Sequence, residues 1–129
     1  MNKIKIIKIK PVHIDKRGSI ADLLNKKVSH VGLIITKKGV VRANHYHKLS
    51  TQYSYILSGS FEVLTAKANS PSKVKRTILK EGDLMEIPPF TIHRFKALKK
   101  TVMIDIVSES RKGNSYEKDV FRVPDISQK

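Results

Sequence analysis

Short β-type segments, each ended by a turn, follow one another along almost the whole chain of 129 residues. Segments such as FEVLTAKA and TVMIDIV are rich in β-branched and aromatic residues, and Gly, Pro or Lys-Lys pairs separate them. No segment shows the apolar period of an amphipathic helix. About eight to ten such strands in a single domain predict an all-β protein, built as a barrel of antiparallel strands.

Two stretches bring histidines to positions where such a barrel can turn them inward. The first is GVVRANHYHKLSTQYSYILSG, from Gly39 to Gly59, and the second is GDLMEIPPFTIH, from Gly82 to His93. Side chains two residues apart in a strand share a face, so His45 and His47 point the same way, about 6 to 7 Å apart at the backbone. The pattern predicts one inward-facing site.

The donor set of this site suits a metal ion. Three imidazoles and one amide oxygen, from His45, His47, His93 and Gln52, fit a divalent Zn, Fe, Mn or Ni ion with positions left open for substrate or water. Gln52 is a neutral and poorer ligand than a carboxylate. The chain has no cysteine, which removes thiolate ligands and thiol catalysis, and no organic cofactor is expected.

The spacing of these residues resembles the two motifs of the cupin superfamily. The first motif, G(X)5HXH(X)3,4E(X)6G, is matched by Gly39, His45, His47, Gln52 and Gly59, with Gln in the Glu place. The second is matched by Gly82, Pro88 and His93, with Phe90 where a Gly and Ala97 where an Asn would stand. The resemblance implies a cupin (jelly-roll-like) double-stranded β-barrel. The single domain, residues 1–129, then has an N-terminal strand over 3–10 with one buried face, a core over about 28–107 and a C-terminal tail over 108–129.

Within the first motif, R-A-N-H-Y-H-K resembles the R-G-x-H-x-H-K of deoxysugar 3,4-ketoisomerases, with Ala43 in the Gly place. In those enzymes and in 3,5-epimerases, the His at the place of His45 removes a proton next to a keto group. The resemblance implies catalytic roles for His45 and His47 and a diphosphate contact for Arg42. A regular strand puts Arg42 and His45 on opposite faces, so a shared site requires a bulge.

Two further patterns resemble the ends of such sugar-modifying cupins. The D-x-R-G of residues 15–18 resembles their opening, and the Y-E-K-D that begins at Tyr116 resembles their closing segment. The resemblance implies substrate contacts for Arg17 and Lys48, and a role for Tyr116 as the acid opposite the base. The alternatives are a solvent-exposed turn at Arg17 and a packing role for Tyr116.

A formal charge of +15 has three explanations. Lys and Arg are spread along every segment rather than clustered with aromatic residues, which argues against nucleic-acid binding. A Lys-rich solvated surface explains the charge, and a positive field that concentrates anionic substrates such as nucleotide diphosphate sugars is compatible with it. No apolar run approaches a membrane span and no signal peptide fits the Lys-rich start, so a cytoplasmic protein without a membrane partner is expected.

Three functions remain open. The first is isomerisation or epimerisation of a nucleotide-linked keto-deoxy sugar, in the synthesis of cell-surface polysaccharide precursors. The second is a metal-dependent cupin enzyme, such as a dioxygenase or a metal-assisted isomerase, and the third is a cupin that binds a small molecule without chemistry. The run QYSYIL is bulky on both faces, which predicts a covering layer or a second subunit, and hence a homodimer.

Overall fold

The computed structural model describes residues 3–127, so the ends of the predicted domain and tail, residues 1–2 and 128–129, lie outside the described residues. Twelve strands and one short helix form within this range. The strands are β1 (Lys5–Lys8), β2 (His13–Asp15), β3 (Gly18–Ile20), β4 (His30–Thr36), β5 (Val41–Tyr46), β6 (Gln52–Ser58), β7 (Ser60–Lys67), β8 (Lys75–Lys80), β9 (Asp83–Ile87), β10 (Thr91–Ala97), β11 (Thr101–Val107) and β12 (Phe121–Arg122), and the helix is α1 (Ser115–Lys118). No helix in residues 3–127 is long and apolar enough to cross a membrane.

Two five-stranded antiparallel sheets face each other and make the barrel. One has the order β1-β9-β6-β11-β4 and the other β12-β5-β10-β7-β8, while β2 and β3 form a separate hairpin. Period-two alternation sends one side of each sheet inward, and the core packs between them. Fully buried core residues from both sheets include Ile56, Met85, Phe61, Val63 and Phe95. The predicted all-β barrel of antiparallel strands is confirmed.

Alternation and turn residues mark these strands locally, so β4 to β11 lie within about two residues of the segments that the sequence predicts. Those segments are 28–36, 40–47, 52–57, 61–68, 73–79, 84–87, 93–98 and 101–107. The N-terminal strand differs. It is shorter than residues 3–10, and all four residues of β1 are exposed, so the predicted buried face is wrong within the strand. Ile4 and Ile9, which flank it, are the isoleucines that pack against buried clusters. The slip in the alternation at Ile6 and Ile7 accounts for the difference.

The bulge that a shared site would require is present in β5. His45 pairs with His93 and Ala43 with Arg94, so Asn44 is the extra residue in the ladder. Ala43 and Asn44 both have positive φ, of 69° and 68°. Phe90 has a φ of 62°. Ala43 and Phe90 stand where the related motifs have Gly, so this chain keeps the backbone conformation of glycine with side chains for which it costs about 1 to 2 kcal/mol each.

The outer face of β6 is covered in part by the chain itself. Tyr53 is buried and packs in a cluster with Leu84 and Ile106, and the N-terminal residues Ile9, Leu24 and Val28 lie against this cluster. The bulk on both faces of QYSYIL therefore has a covering layer from residues of the same chain.

Candidate active site

Three imidazoles meet inside the barrel. His45 near the end of β5, His47 just after it and His93 on β10 are all buried. Their ring centroids lie 4.8 Å apart for His45 and His47, 4.8 Å for His45 and His93, and 5.4 Å for His47 and His93. One nitrogen from each ring can be chosen so that all three lie within 4.8 Å of one another. The two motifs therefore converge on one point, although His47 and His93 are 46 positions apart in the sequence.

Backbone carbonyls hold two of the rings and fix their protons. Nδ1 of His47 lies 2.7 Å from the carbonyl oxygen of Asp119, and Nδ1 of His93 lies 3.0 Å from that of Thr91. A carbonyl oxygen can only accept, so each Nδ1 carries the proton and donates it. In the neutral form of a ring held this way, the lone pair is on Nε2. Nε2 of His93 is buried without a hydrogen-bond partner, which is the state of a nitrogen available to a metal ion or a substrate proton.

The barrel interior keeps two of the imidazoles neutral at physiological pH. Burial, together with the nearby His47, Arg122 and Arg111, lowers the pKa of His45 to about 4. Burial and the nearby His45 lower the pKa of His93 to about 3. A charged imidazolium is disfavoured where water cannot solvate it. Neutral imidazoles can accept protons and can bind metal ions, so the cluster suits either a catalytic base or a metal site.

The C-terminal segment closes over the histidines. The ring of Tyr116, on α1, lies 5.9 Å from the ring of His47. Asp119, just after α1, is buried and its carboxylate accepts hydrogen bonds from the backbone N–H groups of Lys48, Leu49 and Ser50 and from the Ser50 hydroxyl. β12 then pairs with β5 beside His45. The tail is thus tied to the turn that follows the first histidine pair.

Sequence reasoning missed three residues near the cluster. Asp105 is almost fully buried on β11, and Arg111 Nη2 donates to its Oδ2 at 3.2 Å. Asp119 stands in the sequence only as the last residue of the Y-E-K-D pattern, which does not indicate its hydrogen bonds. Asp105 left a usable signal, because it shares the inward phase of Met103 in an apolar strand. Nothing in the sequence marks Arg111, which lies in an irregular segment after β11.

Titration of these buried groups predicts acid lability of the metal-free protein. In the unfolded chain, His45 and His93 become protonated as pH falls below about 6.5. In the folded chain, His45 is protonated only near pH 4 and His93 only near pH 3. The two histidines therefore lower the free energy of unfolding as pH falls. Burial raises the pKa of Asp105 to about 6, so the folded state takes up this proton at higher pH than the unfolded state and offsets half of that decrease. The free energy of unfolding, measured by urea titration, should therefore fall by about 1.4 kcal/mol for each pH unit between about pH 5.5 and 4.

The matched variant for this measurement is Asp105→Asn, which removes the offsetting proton. Its slope should be about twice as steep, about 2.7 kcal/mol per pH unit. Equal slopes for the two proteins, or a stability that does not change in this range, would contradict these protonation states.

The remaining predicted site residues lie in three places. Gln52 is buried, and its Nε2 donates to Ser54 Oγ. Arg42 is exposed and binds Thr36 Oγ1 and the Ile35 carbonyl at the end of β4. Arg17 lies in the β2–β3 turn, paired with Asp15, with its side chain 80% exposed. Among residues 3–127, no hydrogen bond, ion pair or ring contact joins Gln52, Arg42 or Arg17 to the three histidines.

Lys48 lies over an aromatic group at the edge of a cavity. Its Nζ is 4.3 Å from the ring centroid of Phe121, and Tyr46 stacks between Phe121 and Phe90. An open cavity of about 680 Å³ is lined by Lys48, Lys67, Ala68, Asn69, Pro89, Phe90 and Thr91. The backbone joins this cavity to the histidines, because Phe90 N–H donates to the His47 carbonyl.

Solved structures with a similar fold include enzymes that act on nucleotide sugars. A TDP-quinovose 3,4-ketoisomerase from Campylobacter jejuni is 19% identical with a TM-score of 0.78, and the match covers 95% of each chain. A sugar 3,4-ketoisomerase from Thermoanaerobacterium thermosaccharolyticum is 22% identical with a TM-score of 0.76, covering 95% of this chain and 89% of the other. A dTDP-4-dehydrorhamnose 3,5-epimerase from Sulfolobus tokodaii is 23% identical with a TM-score of 0.70, covering 87% and 73%. At these identities the likeness establishes the fold.

A comparison with curated proteins finds no significant sequence match. The family model described as Cupin matches residues 21–124, from the segment before β4 through β12. The matched range contains both histidine motifs, both facing sheets except β1, and the closing segment with Tyr116 and Asp119. The chain belongs to the cupin family.

Proposed function

We propose that this chain is a cupin enzyme that isomerises or epimerises a nucleotide-linked keto-deoxy sugar by moving a proton next to the carbonyl. The observation that carries the proposal is the pairing of the buried His47 with Tyr116 of the covering C-terminal segment, at 5.9 Å between rings. Proton transfer between neighbouring carbons needs a base and an acid on the two sides of a small substrate. The fold shared with ketoisomerases and epimerases supports it.

His47 is the base in this proposal, and Tyr116 is the acid. Nδ1 of His47 is committed to the Asp119 carbonyl, which leaves Nε2 free to accept a proton. His45, the base implied by the family resemblance, has a pKa lowered to about 4 by burial and by neighbouring charges, which makes it a weak base. We assign His45 to contacts with the substrate beside the reacting carbon.

The reaction balances with these two groups. His47 Nε2 takes the proton from the carbon next to the keto group, and the C–H electron pair forms the double bond of an enediol. The former carbonyl oxygen takes the Tyr116 proton. The phenolate then removes the proton of the neighbouring hydroxyl, and the imidazolium returns its proton to the adjacent carbon, which leaves the ketone moved by one position. In epimerisation His47 would instead take the proton from one face of this carbon to give the enolate. Tyr116 would give its proton to the opposite face of the same carbon as the carbonyl re-forms, and solvent would then reprotonate the phenolate and take the proton from the imidazolium.

The nucleotide diphosphate is proposed to bind at the cavity beside Lys48. The cavity has lysines in its wall, an exposed aromatic ring at Phe90, and an opening large enough for a nucleotide. The net charge of +15 adds a long-range attraction for anions. Arg42 and Arg17 stay predicted substrate contacts. Products of this type are precursors of cell-surface polysaccharides, and we place the reaction in the cytoplasm.

The direct test is solvent exchange. Among the similar proteins, the ketoisomerase from T. thermosaccharolyticum has been crystallised with TDP-4-keto-6-deoxyglucose, which is therefore the probe to use. Incubation in deuterium oxide should place deuterium on the carbon next to the keto group, read by proton NMR, and should convert part of the sugar to a 3-keto isomer or a C3 or C5 epimer. TDP binding with neither exchange nor conversion would instead support a binding cupin without chemistry.

A metal-dependent cupin enzyme is the second candidate, favoured by the unpartnered Nε2 of His93. The three imidazole nitrogens fit one divalent ion, and Gln52 is the predicted fourth ligand. A bound ion would supply a Lewis acid that polarises a substrate carbonyl. His47 and His93 would be oriented toward it by the carbonyls of Asp119 and Thr91.

If the cluster binds a metal ion, His93→Ala should lose metal affinity. Chelator-treated wild-type protein should bind about one Zn, Fe, Mn or Ni ion per chain, measured by elemental analysis after dialysis, and its thermal midpoint should rise with metal concentration. His93→Ala should weaken binding by about 100-fold or more. The control is His13→Ala, because His13 lies in the exposed hairpin away from the cluster. Equal metal content in the His93 variant would exclude His93 as a ligand.

A homodimer is proposed from two exposed apolar surfaces. β4 is an edge strand whose outward side chains Val31, Leu33 and Ile35 are 63%, 64% and 53% exposed. The β2–β3 hairpin exposes Val12, Ile14 and Ile20 at 64%, 71% and 58%. Apolar surface of this kind is typical of interfaces. The hairpin of one copy on the β4 face of the other, repeated by a two-fold axis, would cover both.

Leu33→Glu should therefore break the dimer. A buried carboxylate without a partner costs several kcal/mol at an interface, whereas the exposed strand of a monomer tolerates it. Sedimentation velocity should show the mass of two chains for wild type and of one chain for the variant. Val74→Glu makes the same change on an exposed residue before β8 and should stay dimeric. A monomeric wild-type protein at micromolar concentration would contradict the proposal.

A further inference from the structure

A buried ion pair lies at the same end of the barrel as the histidines. Asp105 points inward from β11 and is 1% exposed. Its Oδ2 accepts a hydrogen bond from Arg111, and the Ser54 hydroxyl on the paired strand β6 also interacts with the carboxylate and lowers the pKa that burial raises. Burial of a carboxylate is costly, and a core position on an apolar strand could be filled by a residue without charge. The geometry suggests that the carboxylate serves Arg111.

Arg111 joins Asp105 to Tyr116. The Cζ atom of Arg111 lies 3.9 Å from the centroid of the Tyr116 ring, while its Nη2 is bound to Asp105. The guanidinium therefore makes a cation–π contact and an ion pair at once. Nε of Arg111 is buried without a hydrogen-bond partner, while 30% of the side chain is exposed.

Asp119 anchors the backbone that follows α1, so what remains to be held is the orientation of the Tyr116 ring. The helix is four residues long, has no side-chain hydrogen bond at its N-cap and contains no buried residue. Within residues 3–127, the ring contacts of Tyr116 are those with Arg111 and His47. The position of the ring beside His47 therefore depends on the guanidinium.

We propose that Arg111, held by Asp105, is a positioning residue that fixes the Tyr116 ring beside His47 and stabilises the phenolate formed when Tyr116 donates its proton. The inference rests on the proposed function. In the first half of that reaction the O–H bond of Tyr116 breaks, and its proton moves to the former carbonyl oxygen of the sugar. The electron pair stays on the phenolate, and the guanidinium over the ring offsets its charge until the substrate hydroxyl returns a proton.

The electrostatics of the ring agree with this role. Burial raises the pKa of Tyr116, and the charge of Arg111 works in the opposite direction. Without that cation, the phenolate would form in a partly buried setting beside the carboxylate of Asp105. Arginine suits this role because a planar guanidinium can lie flat on a ring while it donates to a carboxylate, whereas an ammonium group has no plane to stack.

The experiment compares Arg111→Met and Arg111→Lys with wild type, and uses Lys112→Met as the matched control. Lys112 is the exposed neighbour of Arg111, so its replacement removes the same charge without the two contacts. Turnover of TDP-4-keto-6-deoxyglucose should fall about 30-fold or more in Arg111→Met with KM changed less than about threefold. Arg111→Lys should recover only part of the loss, and Lys112→Met should match wild type.

A second measurement separates this inference from the proposed function. Ultraviolet titration of tyrosine ionisation, with Tyr116→Phe subtracted to isolate one ring, should show Tyr116 ionising at a higher pH in Arg111→Met than in wild type. Adding Arg111→Met to Tyr116→Phe should lower turnover no further than Tyr116→Phe alone, because Arg111 acts through the Tyr116 hydroxyl. A protein without activity on any keto sugar but with the titration shift would overturn the proposed function alone. An unmoved titration, or multiplying losses in the double variant, would overturn the role of Arg111.

Discussion

His47→Asn is expected to lower deuterium exchange into the keto sugar by about two to four orders of magnitude. The asparagine amide can still donate to the Asp119 carbonyl that holds the Nδ1 proton of His47, so the local backbone contact survives. What the variant loses is the free ring nitrogen that accepts the substrate proton. The loss should appear in kcat, with nucleotide binding preserved, since the diphosphate is proposed to bind outside the histidine cluster.

Two comparisons sharpen this result. His45→Asn removes a neighbouring ring whose pKa is lowered to about 4, and we expect a smaller loss of exchange than for His47→Asn. His13→Asn, in the exposed hairpin, should exchange at the wild-type rate. A fully active His47 variant together with an inactive His45 variant would transfer the base role to His45, which is the residue implied by the family resemblance.

Asp119→Ala is expected to destabilise the protein by about 3 to 5 kcal/mol in urea unfolding. The carboxylate accepts hydrogen bonds from three consecutive backbone N–H groups, Lys48 to Ser50, and from the Ser50 hydroxyl. Its removal leaves partly or fully buried donors without partners. It also releases the tail that carries Tyr116 toward His47, so exchange activity should fall with stability.

The pH dependence of this contribution has a defined sign. Burial alone would raise the pKa of Asp119, but the hydrogen bonds that it accepts outweigh burial and lower the pKa below its usual value. A carboxyl with a lowered folded-state pKa stabilises the protein above about pH 4 and loses that contribution as pH falls further. The difference between wild type and Asp119→Ala should therefore be full at pH 7 and shrink in acid.

Asp22→Ala is the matched control for this measurement, because Asp22 is exposed and its loss should change stability by less than about 0.5 kcal/mol. The stability of Asp119→Asn should lie between those of Asp119→Ala and Asp22→Ala. One side-chain oxygen remains an acceptor, while the new amide nitrogen cannot accept a hydrogen bond from Ser50. A variant Asp119→Ala as stable as Asp22→Ala would show that the tail does not depend on this carboxylate.

Much of the fold was predictable because strand signals are local. Alternation, turn glycines and prolines placed β4 to β11 within about two residues. Gly59 illustrates the link between motif and backbone. Its φ is 96°, and a Cβ there would lie 2.5 Å from the Lys100 carbonyl oxygen. Where the local pattern was irregular, as at Ile6 and Ile7, the predicted burial of β1 failed.

The candidate site was predictable only in part. His45, His47 and His93 were selected by spacing, and their convergence follows from the pairing of β5 with β10. The acid partner of the proposed base was a weaker inference from a short tail pattern. No local pattern encodes the contacts that give Asp105, Arg111 and Asp119 their roles. The hydrogen bond between His47 and Asp119, for example, joins residues 72 positions apart.

By itself, the sequence determined the all-β architecture, the approximate strands and the three imidazoles that face inward, because each of these depends on the order of side chains along a short segment. The tertiary structure alone decided which ring nitrogen of His47 and of His93 is bound to the backbone, how strongly burial lowers the pKa values of His45 and His93, and which tail residues lie against the histidines. These properties arise from groups brought together across the barrel, and the distance between two side chains in space is not set by their separation along the chain.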